Sequence, residues 1–99
     1  MSITQLTRFK SGNAEEMIKA AKQAKTIFEK HGAEFLRLNR FHAGLWPGEW
    51  LAVTRYASWE AYGKAQEGVA KDPEFAKLMA HMATFAELTG RNLAVGIDL

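Results

Sequence analysis

The stretch Leu36-Arg37-Leu38-Asn39-Arg40-Phe41, then Trp46-Pro47-Gly48-Glu49, then Trp50-Leu51-Ala52-Val53-Thr54-Arg55-Tyr56 decides the fold. In the middle piece proline stands second and glycine third of four residues, as a type II turn demands, because its third position needs φ > 0. Before the turn Leu36 and Leu38 alternate with Arg37 and Asn39, the period of a strand with two unlike faces. After it the β-branched and aromatic residues of 50–57 read as a returning strand. The reading is a hairpin of strands over 33–43 and 50–57.

Working outward, residues 2–10 carry Ile3, Thr4, Leu6, Thr7 and Phe9 and predict a first strand, closed by Ser11-Gly12. Asn13 then stands as an N-cap, with Glu16 in the reciprocal capping position and Glu15 where the helix dipole favours negative charge. Met17, Ala21, Ala24 and Ile27 or Phe28 follow helical spacing as far as Gly32, the C′ glycine. Past the hairpin, Ser58 caps a second helix, which breaks at Asp72-Pro73 because proline disfavours helical geometry in the residue before it. Asp72 is placed to cap the restart, with Pro73 at N1. An apolar stripe through Phe75, Leu78, Met79, Met82, Phe85 and Ala86 predicts helix up to Gly90, and residues 92–99 a last strand with Leu93, Val95, Ile97 and Leu99 on one face.

The order is therefore βαββαβ in one domain over residues 1–99, of class α+β. With 47% hydrophobic and 11% aromatic residues against 24% charged, the chain has the material for a core and no signature of disorder. It contains no cysteine, which removes disulfides, thiolate nucleophiles and zinc-thiolate sites and suits a reducing compartment. The net charge of +2 is spread rather than gathered in a run, which speaks against a nucleic-acid arm. There is no leader-like start and no apolar run near the roughly 18 residues of a membrane helix, so the expected location is cytoplasmic, with no membrane partner.

A βαββαβ chain with its helices on one side is the split-βαβ, ferredoxin-like arrangement with a four-stranded antiparallel sheet. Leu36, Leu38, Leu51, Val53, Leu93 and Val95, with Leu6, make an aliphatic set expected to lie under the helices. Ile3, Gln5, Thr7 and Phe9, with Phe35, Arg37, Asn39, Phe41, Trp50, Thr54 and Tyr56, then fall on the other face, too aromatic to be left wet. A second copy of the sheet is the most economical cover, giving a homodimer.

The element order, the length near one hundred, the proline-broken second helix and the apolar last strand resemble, over the whole chain, the dimeric α/β-barrel superfamily. Its members include antibiotic-biosynthesis-type monooxygenases, haem-degrading monooxygenases, stress-responsive A/B-barrel proteins and NIPSNAP-like proteins. The resemblance implies a sheet-to-sheet dimer with ligands between sheet and helices. The haem degraders pair an Asn on the first strand with a Trp and a His close together on the second helix. Gln5 is the nearest amide on the first strand here, and Trp59 and His81 stand too far apart to reproduce the pair, so haem is not carried over and no cofactor is expected.

Several residues are candidates for chemistry. With the first and third strands taken as parallel neighbours, Arg8 and Arg55 would sit together on the helix-covered face beside two helix N-termini, an anion site in one reading and ordinary ion pairs with Glu15, Glu16 or Glu60 in the other. His81, at the margin of the apolar stripe, and His42, beyond the second strand, are candidate general bases or simply helix-edge and loop histidines. Trp59 and Tyr62 are candidate pocket walls or core. His31, ending the first helix, suits the dipole. No two histidines share an i, i+4 spacing, so no metal is expected.

Three functions follow. One is a cofactor-independent, monooxygenase-like enzyme on a small apolar or aromatic metabolite, with His81 or His42 as base and Arg8 or Arg55 on an anionic group. Another is a non-catalytic ligand-binding or stress-associated dimer. The third is an RNA-binding sheet on which Phe41, Trp50 and Tyr56 stack bases, disfavoured because the third strand lacks the basic-Gly-aromatic opening of RNA-recognition domains. The sequence leaves enzyme and non-enzyme open.

Overall fold

A computed structural model describes all residues from Met1 to Leu99. The elements are β1 (Ile3–Lys10), α1 (Ala14–Lys30), β2 (Phe35–Arg40), β3 (Trp50–Tyr56), α2 (Trp59–Lys71), α3 (Pro73–Met82) and β4 (Glu87–Val95). The strands form one sheet in the order β2-β3-β1-β4, antiparallel at every step. This is the ferredoxin-like α+β architecture that the hairpin predicts.

The local signals act as their chemistry requires. The Asn13 side chain accepts from Glu16 N at 3.1 Å, and Ser58 accepts from Ala61 N at 3.1 Å. Asp72 closes α2 and caps α3, accepting from Glu74 N at 2.9 Å with Pro73 in the first turn. Glu49 N donates to Trp46 O across the turn while Gly48 holds φ 82°, the conformation that selects glycine there. No helix is long and apolar enough to cross a membrane.

Two boundaries differ from the expectation. The helical stripe stops at Met82, not Gly90: Phe85 and Ala86 turn back to bond Met82 O, and Glu87–Val95 pairs along β1. Strand pairing for Lys10, Phe9 and Arg8 outweighs the helical spacing of Phe85 and Ala86. Gly90 therefore lies inside the sheet opposite Arg8, whose guanidinium occupies the space a side chain would take.

The larger correction concerns which face the helices cover. Ile3, Gln5 and Thr7 of β1 are buried, while Thr4, Leu6 and Arg8 are half-buried on the far side. On β3 the buried residues are Trp50, Thr54 and Tyr56, so Leu51 and Val53 look outward. Only β2 keeps the expected sense, with Leu36 under the helices. Trp50 joins Met17, Ala20, Ile27, Val69, Leu78 and Met82 in the main core, and Ile3, Ala33, Tyr56 and Ala65 form a second cluster beneath α2. Aromatic rings bury more area than valine or leucine and so take the covered face where a strand offers both. β4 lies beyond the helices and leaves Leu93 and Val95 45% and 39% exposed.

Candidate functional site

Three alanines set the site. Ala20, Ala21 and Ala24 lie on the inner side of α1 and face Ala52 and the side chains of β1 across the layer between helices and sheet. Their short side chains leave an internal cavity of about 70 Å³, lined by 15 residues of which 12 are hydrophobic. Met17 and Phe28 of α1 and Phe75, Met79 and Met82 of α3 complete the roof. Leu36 and Leu38 close one side. The polar lining is all on the sheet: Gln5, Thr7 and Thr54, with no charged group among the lining residues. Such a space favours an uncharged guest, since a buried charge needs a partner the cavity does not offer.

One end of the layer carries a partly buried hydrogen-bond cluster. Tyr62 and Gln66 stand one turn apart on α2 and so share a face. The Tyr62 hydroxyl donates to Gln5 Oε1 at 3.1 Å, and Gln66 Nε2 donates to the same oxygen at 3.2 Å. Tyr56 packs edge-on against Tyr62, with ring centroids 5.2 Å apart, and is fully buried with no hydrogen-bond partner for its hydroxyl. Burial pushes the Tyr56 phenol up. The Thr54 hydroxyl, near but outside hydrogen-bond geometry, acts against that shift and Tyr62 adds to it. Tyr56 is thus a protonated donor without an acceptor.

The roof is pinned at the α2–α3 break. Asp72 accepts from Lys30 Nζ at 2.8 Å and lies 2.7 Å from His31 Nε2, joining the end of α1 to the start of α3. These contacts, Lys30 first, with the Glu74 amide, hold its carboxyl well below the usual carboxylate range. Two open grooves flank the layer. One, of about 470 Å³, runs between α1 and the β2 edge, is bordered by Lys22, Lys25, Arg40 and Trp50, and shares Ala21, Leu36 and Leu38 with the cavity. The other, about 730 Å³, lies between the 45–49 loop and residues 83–87.

No protein-family model matches the sequence, and no curated protein matches it. Solved structures do. The cofactor-independent oxygenase SnoaB of Streptomyces nogalater superposes with a TM-score of 0.73 at 16% identity, covering 99% of this chain and 95% of that one. A DABB family protein of Mesorhizobium loti with a ferredoxin-like fold gives 0.71 at 15%, over 98% of both chains. A NIPSNAP family protein of Agrobacterium tumefaciens, of unknown function, gives 0.69 at 10%, over 94% and 86%. This chain has the ferredoxin-like fold of the antibiotic-biosynthesis-monooxygenase, DABB and NIPSNAP proteins.

Within that fold the expected site residues scatter. β1 and β3 are antiparallel, not parallel, so Arg8 lies opposite Leu51 and Arg55 opposite Thr4, at the two ends of the open face. They are not neighbours and neither lies under the helices. Arg8 pairs with Glu49 at 3.4 Å, donates to Thr89 O and lies 3.9 Å over the Trp46 ring, with its Nε buried and unpartnered. Arg55 pairs with Glu34 at 3.4 Å. His81 is exposed, 3.2 Å from Glu16 and edge-on to Phe85, and His42 is exposed in the loop after β2. Neither borders the cavity. Trp59 is half exposed and touches Tyr62 edge-on. Tyr62 alone of the six joins the partly buried cluster. Trp50 and Tyr56, 6% and 0% exposed, are covered by the helices and present no face for stacking RNA bases. In the sequence Gln5 stands out only as the amide nearest the haem degraders' asparagine and Tyr56 only as an open-face aromatic, and Gln66 not at all. The available signal was Tyr62 and Gln66 at i, i+4 above a strand amide.

Proposed function

We propose that this chain is a small, cofactor-independent enzyme of the monooxygenase kind, working as a homodimer on a small apolar or aromatic metabolite held between sheet and helices. The observation that carries the reading is the uncharged, largely apolar cavity beside a partly buried cluster of phenol and amide donors in the sheet–helix layer. The fold shared with SnoaB, described as a cofactor-independent oxygenase, supports it. Without a cofactor the organic substrate must itself supply the electrons, so the substrate class is an electron-rich arene. For 1,5-dihydroxynaphthalene, one oxygen atom enters the ring to give a hydroxynaphthoquinone and the other leaves as water, the arene losing four electrons. The chain contributes position and hydrogen bonding from the sheet–helix layer: Gln5, held by Tyr62 and Gln66, lines the cavity, and burial keeps the Tyr56 hydroxyl protonated nearby.

The dimer is proposed through the open face. Leu6, Leu51 and Val53 lie outward there with Phe35, apolar groups set among Arg8, Arg37 and Arg55 that a second copy of the sheet would cover. A non-catalytic binding protein remains the second reading, favoured by one observation: no histidine or carboxylate borders the cavity to act as base. Oxygen uptake with 1,5-dihydroxynaphthalene separates the two. Enzyme-dependent uptake with quinone formed in equal amount supports the oxygenase, whereas a thermal-shift gain with that arene and no uptake supports the binder.

A further inference from the structure

Size divides the site. A volume of about 70 Å³ is about half the ~150 Å³ of an engineered apolar cavity that admits benzene. An aromatic ring therefore does not fit without displacing the helices. Water gains little by entering, because the cavity surface is overwhelmingly apolar and the Gln5 oxygen is already taken by Tyr62 and Gln66. A void of this size is also cheap to remove: leucine in place of Ala20 or Ala24 would fill it, and close packing is the rule in protein interiors.

We propose that the cavity holds a small uncharged apolar molecule, well below benzene in size. Within the oxygenase reading, on which this inference rests, that molecule is dioxygen. The organic substrate then takes the larger groove between α1 and β2, which has room for rings and is separated from the cavity only by Ala21, Leu36 and Leu38. The two reactants are stored on either side of one apolar wall. Dioxygen partitions from water into apolar surroundings, so the cavity raises its local concentration beside the arene without a metal or flavin to bind it.

The test is a crystal of the full chain pressurised with xenon, an uncharged probe that enters dry apolar cavities. One xenon site within the cavity is expected in the wild type, and none in Ala24→Leu. Ala52→Val, which fills from the sheet side, gives a second variant should the first disturb α1, and circular dichroism checks that both fold. In oxygen-uptake assays with 1,5-dihydroxynaphthalene, filling the cavity is expected to raise KM for oxygen several-fold and to raise it more than KM for the arene. An empty wild-type cavity under xenon, or xenon retained undiminished in both variants, overturns the inference while leaving any oxygenase activity standing. Xenon in the cavity with no oxygen uptake overturns the oxygenase reading, and dioxygen as the occupant with it.

Discussion

The two faces of the sheet differ in what stands out on each: polar groups within a mainly apolar covered face of Ile3, Leu36, Trp50 and Tyr56, and aliphatic groups within an open face that also carries Thr4, Arg8, Arg37, Asn39 and Arg55. The covered face holds Gln5, Thr7 and Thr54 among its aromatics, and the open face holds Leu6, Leu51 and Val53. A monomer built only for stability would have no need of that amide and those hydroxyls beneath its helices, or of those aliphatic groups in water. Polar groups under the helices make sense where a ligand is handled, and aliphatic groups outside make sense where another sheet lies on them. On the proposed reading, ligand handling belongs to the layer beneath the helices and dimer contact to the other side.

The comparison can be broken most strongly at Trp50, which is buried with Met17 and Leu78. Trp50→Ala should cost about 3–5 kcal/mol of stability, read from the urea midpoint, and Leu51→Ala on the open face much less when measured at a dilution that keeps the proposed dimer apart. Equal costs would mean the faces are not divided as described. The roof gives the next effect. Asp72 has its carboxyl held far below its unfolded value of about 4, so its stabilisation is complete above that pH and is lost progressively as the pH falls from there toward the lower folded value. Asp72→Asn keeps an N-cap but loses the charge facing Lys30 and His31. Its melting temperature should lie below wild type at pH 7, with the gap narrowing below about pH 4.

Two tyrosines in one cluster sharpen the contrast within the covered face. Tyr62→Phe removes a made hydrogen bond to Gln5 and should cost about 1 kcal/mol. Tyr56→Phe removes a hydroxyl that has no partner and should be neutral or stabilising by up to about 1 kcal/mol. Opposite signs in paired urea melts support the cluster as drawn; a loss at Tyr56 matching that at Tyr62 would place a hidden acceptor beside it.

The sequence makes the fold legible where a local group must be satisfied: Pro47-Gly48 in the turn, Asn13 and Ser58 at their caps, Asp72-Pro73 at the helix break. Those signals are short-range and depend little on the rest of the chain. Face assignment is different. On β1, Ile3 and Phe9 compete with Leu6, and on β3, Trp50 and Tyr56 compete with Leu51 and Val53. Central strands with both faces apolar carry too little contrast for alternation to choose. Arg8 and Arg55 were misplaced for that reason together with the assumed parallel pairing. The cavity is invisible in the sequence because it is a volume left by Ala20, Ala21 and Ala24, which read as ordinary helix formers.

The division of the sheet is tested most directly by sedimentation equilibrium of the wild type beside Val53→Asp, a charge placed in the middle of the open face opposite Leu6. The account predicts a wild-type mass of twice the chain and a folded Val53→Asp protein at the mass of a single chain. A monomeric wild type, or a Val53→Asp variant that still dimerises, would contradict it.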